Sequence, residues 1–133
     1  MRGRFSTYQA SAWLDALASR PLYMALFTQD PYAVTNPLSA ELIGTSINRQ
    51  PSEWTRTSSF SLELNNDVFF AAIPPETSLV AIGAFDAPIN GNIIFRDIID
   101  ATGDGRGEPL HLPTGGTFGI AAGDMVIGLD IAS

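Results

Sequence analysis

The sequence contains no cysteine and no lysine. Without cysteine the chain forms no disulfide, holds no zinc ion or iron–sulfur cluster through thiolates, and has no thiol nucleophile. Without lysine it supports neither Schiff-base catalysis nor a P-loop phosphate site. These two absences exclude several large classes of enzyme.

Positive charge and long apolar stretches are also scarce. Seven basic residues stand against fourteen acidic ones, which gives a net charge of −7 and a pI near 4.3. Because a nucleic-acid or anionic-membrane ligand requires a basic surface, we predict neither partner. The longest apolar stretches, Val68–Pro75 and Leu79–Phe85, have the length of a strand and not the ~20 residues of a membrane span. No apolar segment follows the two arginines of Met1–Phe5, so we predict no signal peptide.

The length and composition indicate one folded domain. The chain has 133 residues, of which 45% are hydrophobic and only 16% charged. Disordered chains show the opposite balance, with low hydrophobicity and high charge. We therefore predict a single domain over residues 1–133, with residues 1–5 as an N-terminal arm and residues 6–19 as a helical segment.

One segment has helical periodicity. Ser6 or Thr7 can cap a helix from Tyr8 to Ala18, and Pro21 ends it because a proline disfavours the α conformation of the preceding residue. The apolar positions repeat at helical spacing: Ala10, Trp13, Leu14 and Leu17. We expect Trp13 to anchor this face in the core.

The remainder of the sequence has the pattern of strands. Leu22–Thr28 is apolar on both faces, and Arg56–Leu64 alternates between apolar and polar residues. Leu79–Phe85 and Ile93–Ile99 predict a hairpin, because the segment between them contains Pro88, Asn90 and Gly91. Further strand-like segments are Glu41–Ile43, Ile47–Gln50, Val68–Ile73, Leu110–Leu112, Thr117–Ala121 and Met125–Ile131. We predict a mostly β fold, a jelly-roll-like antiparallel β-sandwich of about eight strands with one short N-terminal helix.

The single histidine, His111, is the obvious candidate for a general base. It alternates with Leu110 and Leu112, which predicts a solvent-facing side chain on a strand. The chain contains no Gly-x-Ser-x-Gly elbow that would mark a nucleophilic serine. Most acidic residues lie in turn sequences, where aspartate is favoured for backbone reasons. We therefore predict no catalytic residue, no cofactor and no enzymatic activity.

The segment Asp100–Glu108 has the most specific local pattern. Asp100, Thr102 and Asp104 occupy the first, third and fifth places of a calcium loop, and Glu108 occupies the ninth. The twelfth place holds His111, where a calcium loop of this type has a bidentate glutamate. Two interpretations stay open: a flexible acidic hairpin tip, and a calcium site formed by Asp100, Thr102, Asp104 and Glu108.

Exposed aromatic rings could contact a sugar or a protein partner. Trp54 lies in a loop-like sequence, and Tyr32 lies between two prolines. We consider both as candidates for carbohydrate contact, with ordinary packing or a contact between protomers as the alternative.

Several blocks of the sequence occur in a recognisable order. They are Leu22–Thr28 with Asp30-Pro31, Glu41–Gly44, Arg49-Gln50 with Trp54, Asn65–Phe70, Ile82–Ala87, Gly91–Phe95 and Gly115–Asp124. In this order the chain resembles the small tail-fibre or minor tail virion proteins of tailed bacteriophages. The sequence departs from that pattern at Ile47, where tyrosine is common, and in its longer Asp100–Glu108 loop. The resemblance implies a structural protein of the virion and attaches no catalytic residue to the chain.

The resemblance and the composition together predict a non-enzymatic tail- or fibre-associated structural protein. We expect a homotrimer that contacts tail or major capsid proteins and resides in the virion after assembly in the host cytoplasm. One alternative is a decoration protein that stabilises the capsid shell and docks through the N-terminal helix with the arm of Arg2 and Arg4, or through the Gln29–Ser39 loop. Another alternative is a carbohydrate-binding module that contacts glycans on the host cell surface through Trp54.

Overall fold

The computed structural model describes residues 6–42, 47–58 and 60–128. Within these ranges the chain forms one α-helix, one short 3-10 helix at Pro37–Ala40 and eleven strands. The helix α1 spans Thr7–Ala18. The strands are β1 Leu22–Phe27, β2 Gln50–Ser52, β3 Trp54–Ser58, β4 Ser61–Leu64, β5 Val68–Ile73, β6 Thr77–Leu79, β7 Ala81–Phe85, β8 Ile93–Ile98, β9 Leu110–Leu112, β10 Gly116–Ile120 and β11 Val126–Gly128.

The predicted fold class is confirmed. The structure is mostly β, and the pairs β1–β7, β7–β8, β3–β4, β4–β11 and β6–β9 are all antiparallel. The eleven strands are roughly consistent with the predicted number of about eight, since β2, β6, β9 and β11 have only three residues each. The predicted arm at residues 1–5 lies outside the described residues. The same holds for Ile43 of the predicted strand Glu41–Ile43 and for residues 129–131 of the predicted strand Met125–Ile131.

The N-terminal helix begins where the sequence places it. The Ser6 hydroxyl accepts a hydrogen bond from the backbone N–H of Gln9 at 3.1 Å, which satisfies one of the free donors of the first turn. Ala10 and Leu14 form the buried stripe, but Trp13 is 42% exposed. The expectation of Trp13 as a core anchor was therefore wrong. Successive residues turn by about 100° around a helix, so a stripe centred on Leu14 leaves Trp13 at its edge.

The chain divides into two compact units, each described here by itself. Unit 1 contains residues 1–21, 52–68 and 120–133, and its helix α1 packs on β3 and β4. Its sheet has the order β11-β4-β3, with Leu62 and Leu64 of β4 buried. The polar turn after β4 also holds the unit together, because Asp67 accepts a hydrogen bond from the backbone N–H of Ala122 at 2.8 Å.

The segment Arg56–Leu64 forms a hairpin where the sequence predicts one continuous strand. Arg56 of β3 pairs with Leu62 of β4, and the Ser58 and Ser61 hydroxyls lie 2.7 Å apart across the turn. The backbone N–H of Phe60 also donates to the Ser58 hydroxyl at 3.2 Å. These side-chain bonds stabilise a turn that the alternating apolar pattern does not reveal.

Unit 2 contains residues 22–51 and 69–119, and its main sheet has the order β2-β1-β7-β8. The predicted β7–β8 hairpin is confirmed, with Ala81 opposite Ile98. The core includes Phe27 and Phe85, whose ring centroids are 5.9 Å apart. Two further pairs, β5 with β10 and β6 with β9, complete the sheets of the described residues.

The division into two units does not test the prediction of a single domain over residues 1–133, which stays a prediction.

The α-helix has twelve residues, and no helix among the described residues is long and apolar enough to span a bilayer.

Candidate functional site

The Asp100–Glu108 loop connects β8 to β9 and is ordered by its own hydrogen bonds. The two carboxylate oxygens of Asp100 accept backbone N–H groups, from Gly103 at 3.2 Å and from Gly105 at 2.6 Å. Asp104 accepts the N–H of Arg106 at 2.9 Å. The glycines of the loop have positive φ, which a residue with a Cβ adopts at a cost. The aspartates and glycines of the loop therefore favour this conformation.

The loop brings together the four residues predicted as metal ligands. Carboxylate oxygens of Asp100, Asp104 and Glu108 all lie within 4.8 Å of one another. The Thr102 hydroxyl donates to Glu108 at 2.8 Å. Such oxygen donors suit a hard cation such as calcium. The hydrogen bonds within the loop account equally well for this clustering, so the calcium site stays a prediction.

The same hydrogen bonds affect the acidity of the loop. The N–H of Gly105 lowers the pKa of Asp100 from its usual value of 3.8, and the N–H of Arg106 does the same for the pKa of Asp104. A donated hydrogen bond favours the charged carboxylate over the neutral acid. Both carboxylates are therefore negatively charged at neutral pH.

The two aromatic candidates have different environments. Trp54 is only 5% exposed, and its ring N–H donates to the buried hydroxyl of Ser52 at 2.8 Å. Of the interpretations left open for Trp54, this burial supports ordinary packing, because a buried ring has no open face for stacking on a sugar. Tyr32 is 54% exposed, with the guanidinium of Arg96 4.6 Å from its ring centroid.

His111 faces solvent on β9, as predicted, with half of its side chain exposed. Its Nδ1 lies 2.8 Å from the Ser78 hydroxyl, and its Nε2 lies 3.4 Å from the Glu76 carboxylate. The sequence analysis missed these neighbours, since they meet through the long-range pairing of β6 with β9. A hydroxyl, an imidazole and a carboxylate in a row have the composition of a catalytic triad. The His111 and Glu76 side chains are, however, exposed to water, which weakens their electrostatic interaction.

Unit 2 also contains an arginine with a buried side chain that the sequence pattern did not predict. The Arg49 side chain is 4% exposed and forms two hydrogen bonds with Glu41, at 2.9 and 2.7 Å. Its Nη1 donates to the carbonyl oxygens of Ala87 and Asn90, at 2.8 and 2.6 Å. The guanidinium also lies 3.6 Å from the ring centroid of Phe85. Arg49 therefore fixes the turn between β7 and β8 to the segment that precedes β2.

A cleft of about 220 Å³ lies beside this arginine, and Leu38, Ile47 and Ile89 supply apolar lining. Because four of the five N–H donors of Arg49 already bond within the protein, the arginine stabilises the cleft and has little remaining capacity to bind a ligand. No signal in the sequence identifies Arg49, whose partners lie up to 41 positions away.

Comparison of the sequence with models of known protein families gives no match, and comparison with curated proteins gives none. The function of this protein therefore has to be inferred from its own residues.

Proposed function

We propose that the protein is a non-enzymatic structural component of a tailed bacteriophage virion, associated with the tail or its fibres. It acts through contacts with copies of itself and with neighbouring virion proteins. The observation that carries the proposal is a set of large apolar side chains exposed on ordered elements. The side chains of this set are Tyr8, Trp13 and Val126 in unit 1 and Phe69 and Ile89 in unit 2. Tyr32 is also exposed but lies beside Arg96 and is not counted in the set.

The backbone under three of these side chains is held by hydrogen bonds within the chain. Tyr8, 82% exposed, and Trp13 lie on the helix that Ser6 caps. Ile89, 77% exposed, lies in the turn whose carbonyl oxygens Arg49 binds. Aromatic anchors are common in protein interfaces, and a preorganised backbone reduces the entropy lost on association.

The composition and the resemblance to tail proteins supply the remaining support. A net charge of −7 keeps unassembled subunits soluble through mutual repulsion. A closed ring forms when two complementary surfaces of each identical subunit meet head to tail, and we propose a trimer of this kind.

Sedimentation velocity of the purified full chain tests the self-association. We expect a trimer at high protein concentration and a shift toward monomer for Tyr8→Ser, since the substitution removes an exposed aromatic anchor. Ala16→Ser is the matched control, because Ala16 is exposed on the same helix and carries no large apolar group. A wild-type protein that stays monomeric at every concentration, or an equal effect of both substitutions, contradicts the proposed surface.

A further inference from the structure

Asp30, Tyr32 and Arg96 form a polar and aromatic cluster on the surface of unit 2. Asp30 and Tyr32 lie in the loop after β1, and Arg96 lies on β8. One carboxylate oxygen of Asp30 accepts both the backbone N–H of Tyr32 at 2.9 Å and the Nε–H of Arg96 at 3.1 Å. The guanidinium lies over the Tyr32 ring at 4.6 Å. The three side chains therefore hold one another in place.

This cluster retains unused hydrogen-bonding capacity. Within the part of the chain that the structure describes, Asp30 Oδ2, both terminal nitrogens of Arg96 and the Tyr32 hydroxyl make no hydrogen bond. The Asp30 and Arg96 side chains are about one-third exposed, at 29% and 30%, so a ligand in solution can reach them. More than half of the Tyr32 surface is open as well.

The chemistry of these groups defines the ligand class. Asp30 and Arg96 neutralise each other, so the cluster favours a ligand without net charge. A free carboxylate oxygen beside free guanidinium N–H groups complements two adjacent hydroxyls, because each hydroxyl both donates and accepts. The exposed part of the tyrosine ring can cover an apolar C–H surface.

From this arrangement we propose that Asp30, Tyr32 and Arg96 form a carbohydrate-binding site for a neutral sugar with adjacent hydroxyls. The ion pair and the backbone bond to Asp30 set the geometry before the sugar arrives, which reduces the ordering cost of binding. The site uses none of Tyr8, Trp13, Val126, Phe69 and Ile89, the side chains on which the proposed self-association depends.

The test is a titration of the full chain with methyl glucoside, methyl galactoside, methyl mannoside and N-acetylglucosamine, followed by amide NMR. We expect at least one sugar to shift, in the millimolar range, the backbone amide signals of Tyr32 and Ala33 and the Nε–H signal of Arg96. Saturable shifts at these positions support the site. The absence of shifts with every sugar, or shifts confined to other residues, overturns the proposal.

Variants separate binding from a purely structural role of the cluster. Tyr32→Ala should weaken sugar binding roughly tenfold or more with little change in melting temperature, because the ring is exposed. Tyr32→Phe retains the ring and should keep most of the affinity, whereas Arg96→Lys retains the charge but loses guanidinium donors and should weaken binding. Arg20→Lys, at another exposed arginine that lies outside both proposed surfaces, is the control and should leave binding unchanged. Equal affinity of Tyr32→Ala and the wild type contradicts the site.

Discussion

Replacement of Arg49 by alanine is expected to destabilise the protein strongly. The substitution removes both bonds to Glu41, both bonds to the turn carbonyls and the contact with Phe85. It leaves the Glu41 carboxylate, 15% exposed, without its counter-charge. Breaking a buried ion pair from one side costs about 3–5 kcal/mol, so we expect a loss of about 4 kcal/mol in the free energy of unfolding. For a chain of this length, such a loss corresponds to a fall of roughly 12–16 °C in melting temperature.

Urea denaturation followed by circular dichroism measures this change as a shift of the midpoint at constant slope. Arg56→Ala is the matched control, because Arg56 pairs with Asp15 at 2.9 Å but both side chains are well exposed. A surface pair contributes at most about 1 kcal/mol. Arg49→Lys should also destabilise, since an ammonium group has three donors and lacks the planar fork with which Arg49 makes four hydrogen bonds. A loss below about 1 kcal/mol for Arg49→Ala, equal to that of the control, refutes the reasoning.

Two further predictions concern the β7–β8 hairpin and the acidic loop. A Cβ on Gly83 would lie 2.6 Å from the carbonyl oxygen of Phe95, so Gly83→Ala should lower the free energy of unfolding by roughly 1–3 kcal/mol. Urea denaturation measures this change. An unchanged midpoint for Gly83→Ala contradicts the expectation, because the hairpin would then accommodate the methyl group. Because the pKa values of Asp100 and Asp104 are lowered in the fold, their contribution to loop order is fully present above pH 3.8 and is lost as pH falls through the folded pKa values. The amide NMR signal of Gly105 should therefore titrate with a midpoint below 3.8, and a midpoint above that value contradicts the assignment.

Local signals in the sequence predicted the elements that depend on neighbouring residues. The Ser6 cap, the proline after the helix and the β7–β8 hairpin each involve contacts over a short stretch of chain. The serine-rich turn after β3 is local too, but its hydrogen bonds involve side-chain hydroxyls that apolar periodicity does not register.

The sites depend on contacts between distant residues and were only partly predictable. The Asp100–Glu108 cluster was predicted because its residues are close in sequence. Arg49 and Glu41 are near in sequence, but the burial of the pair depends on the distant turn at Ala87 and Asn90. Arg96 and Asp30 pair although they lie 66 positions apart, and no pattern in a single sequence predicts which distant side chains will meet. The burial of Trp54 was not predictable either, because the loop-like sequence around it does not indicate whether its ring is buried or exposed.

Imaging of labelled virions tests the central claim most directly. If the proposed function holds, a tailed phage encodes this sequence, and gold-labelled antibodies against the protein, applied to intact particles of that phage, show which part of the virion contains it. The proposed function predicts label on the tail or its fibres, in the same position on most particles. Label over the head would favour capsid decoration over a tail location, whereas purified virions without label and without the protein contradict a structural role in the virion.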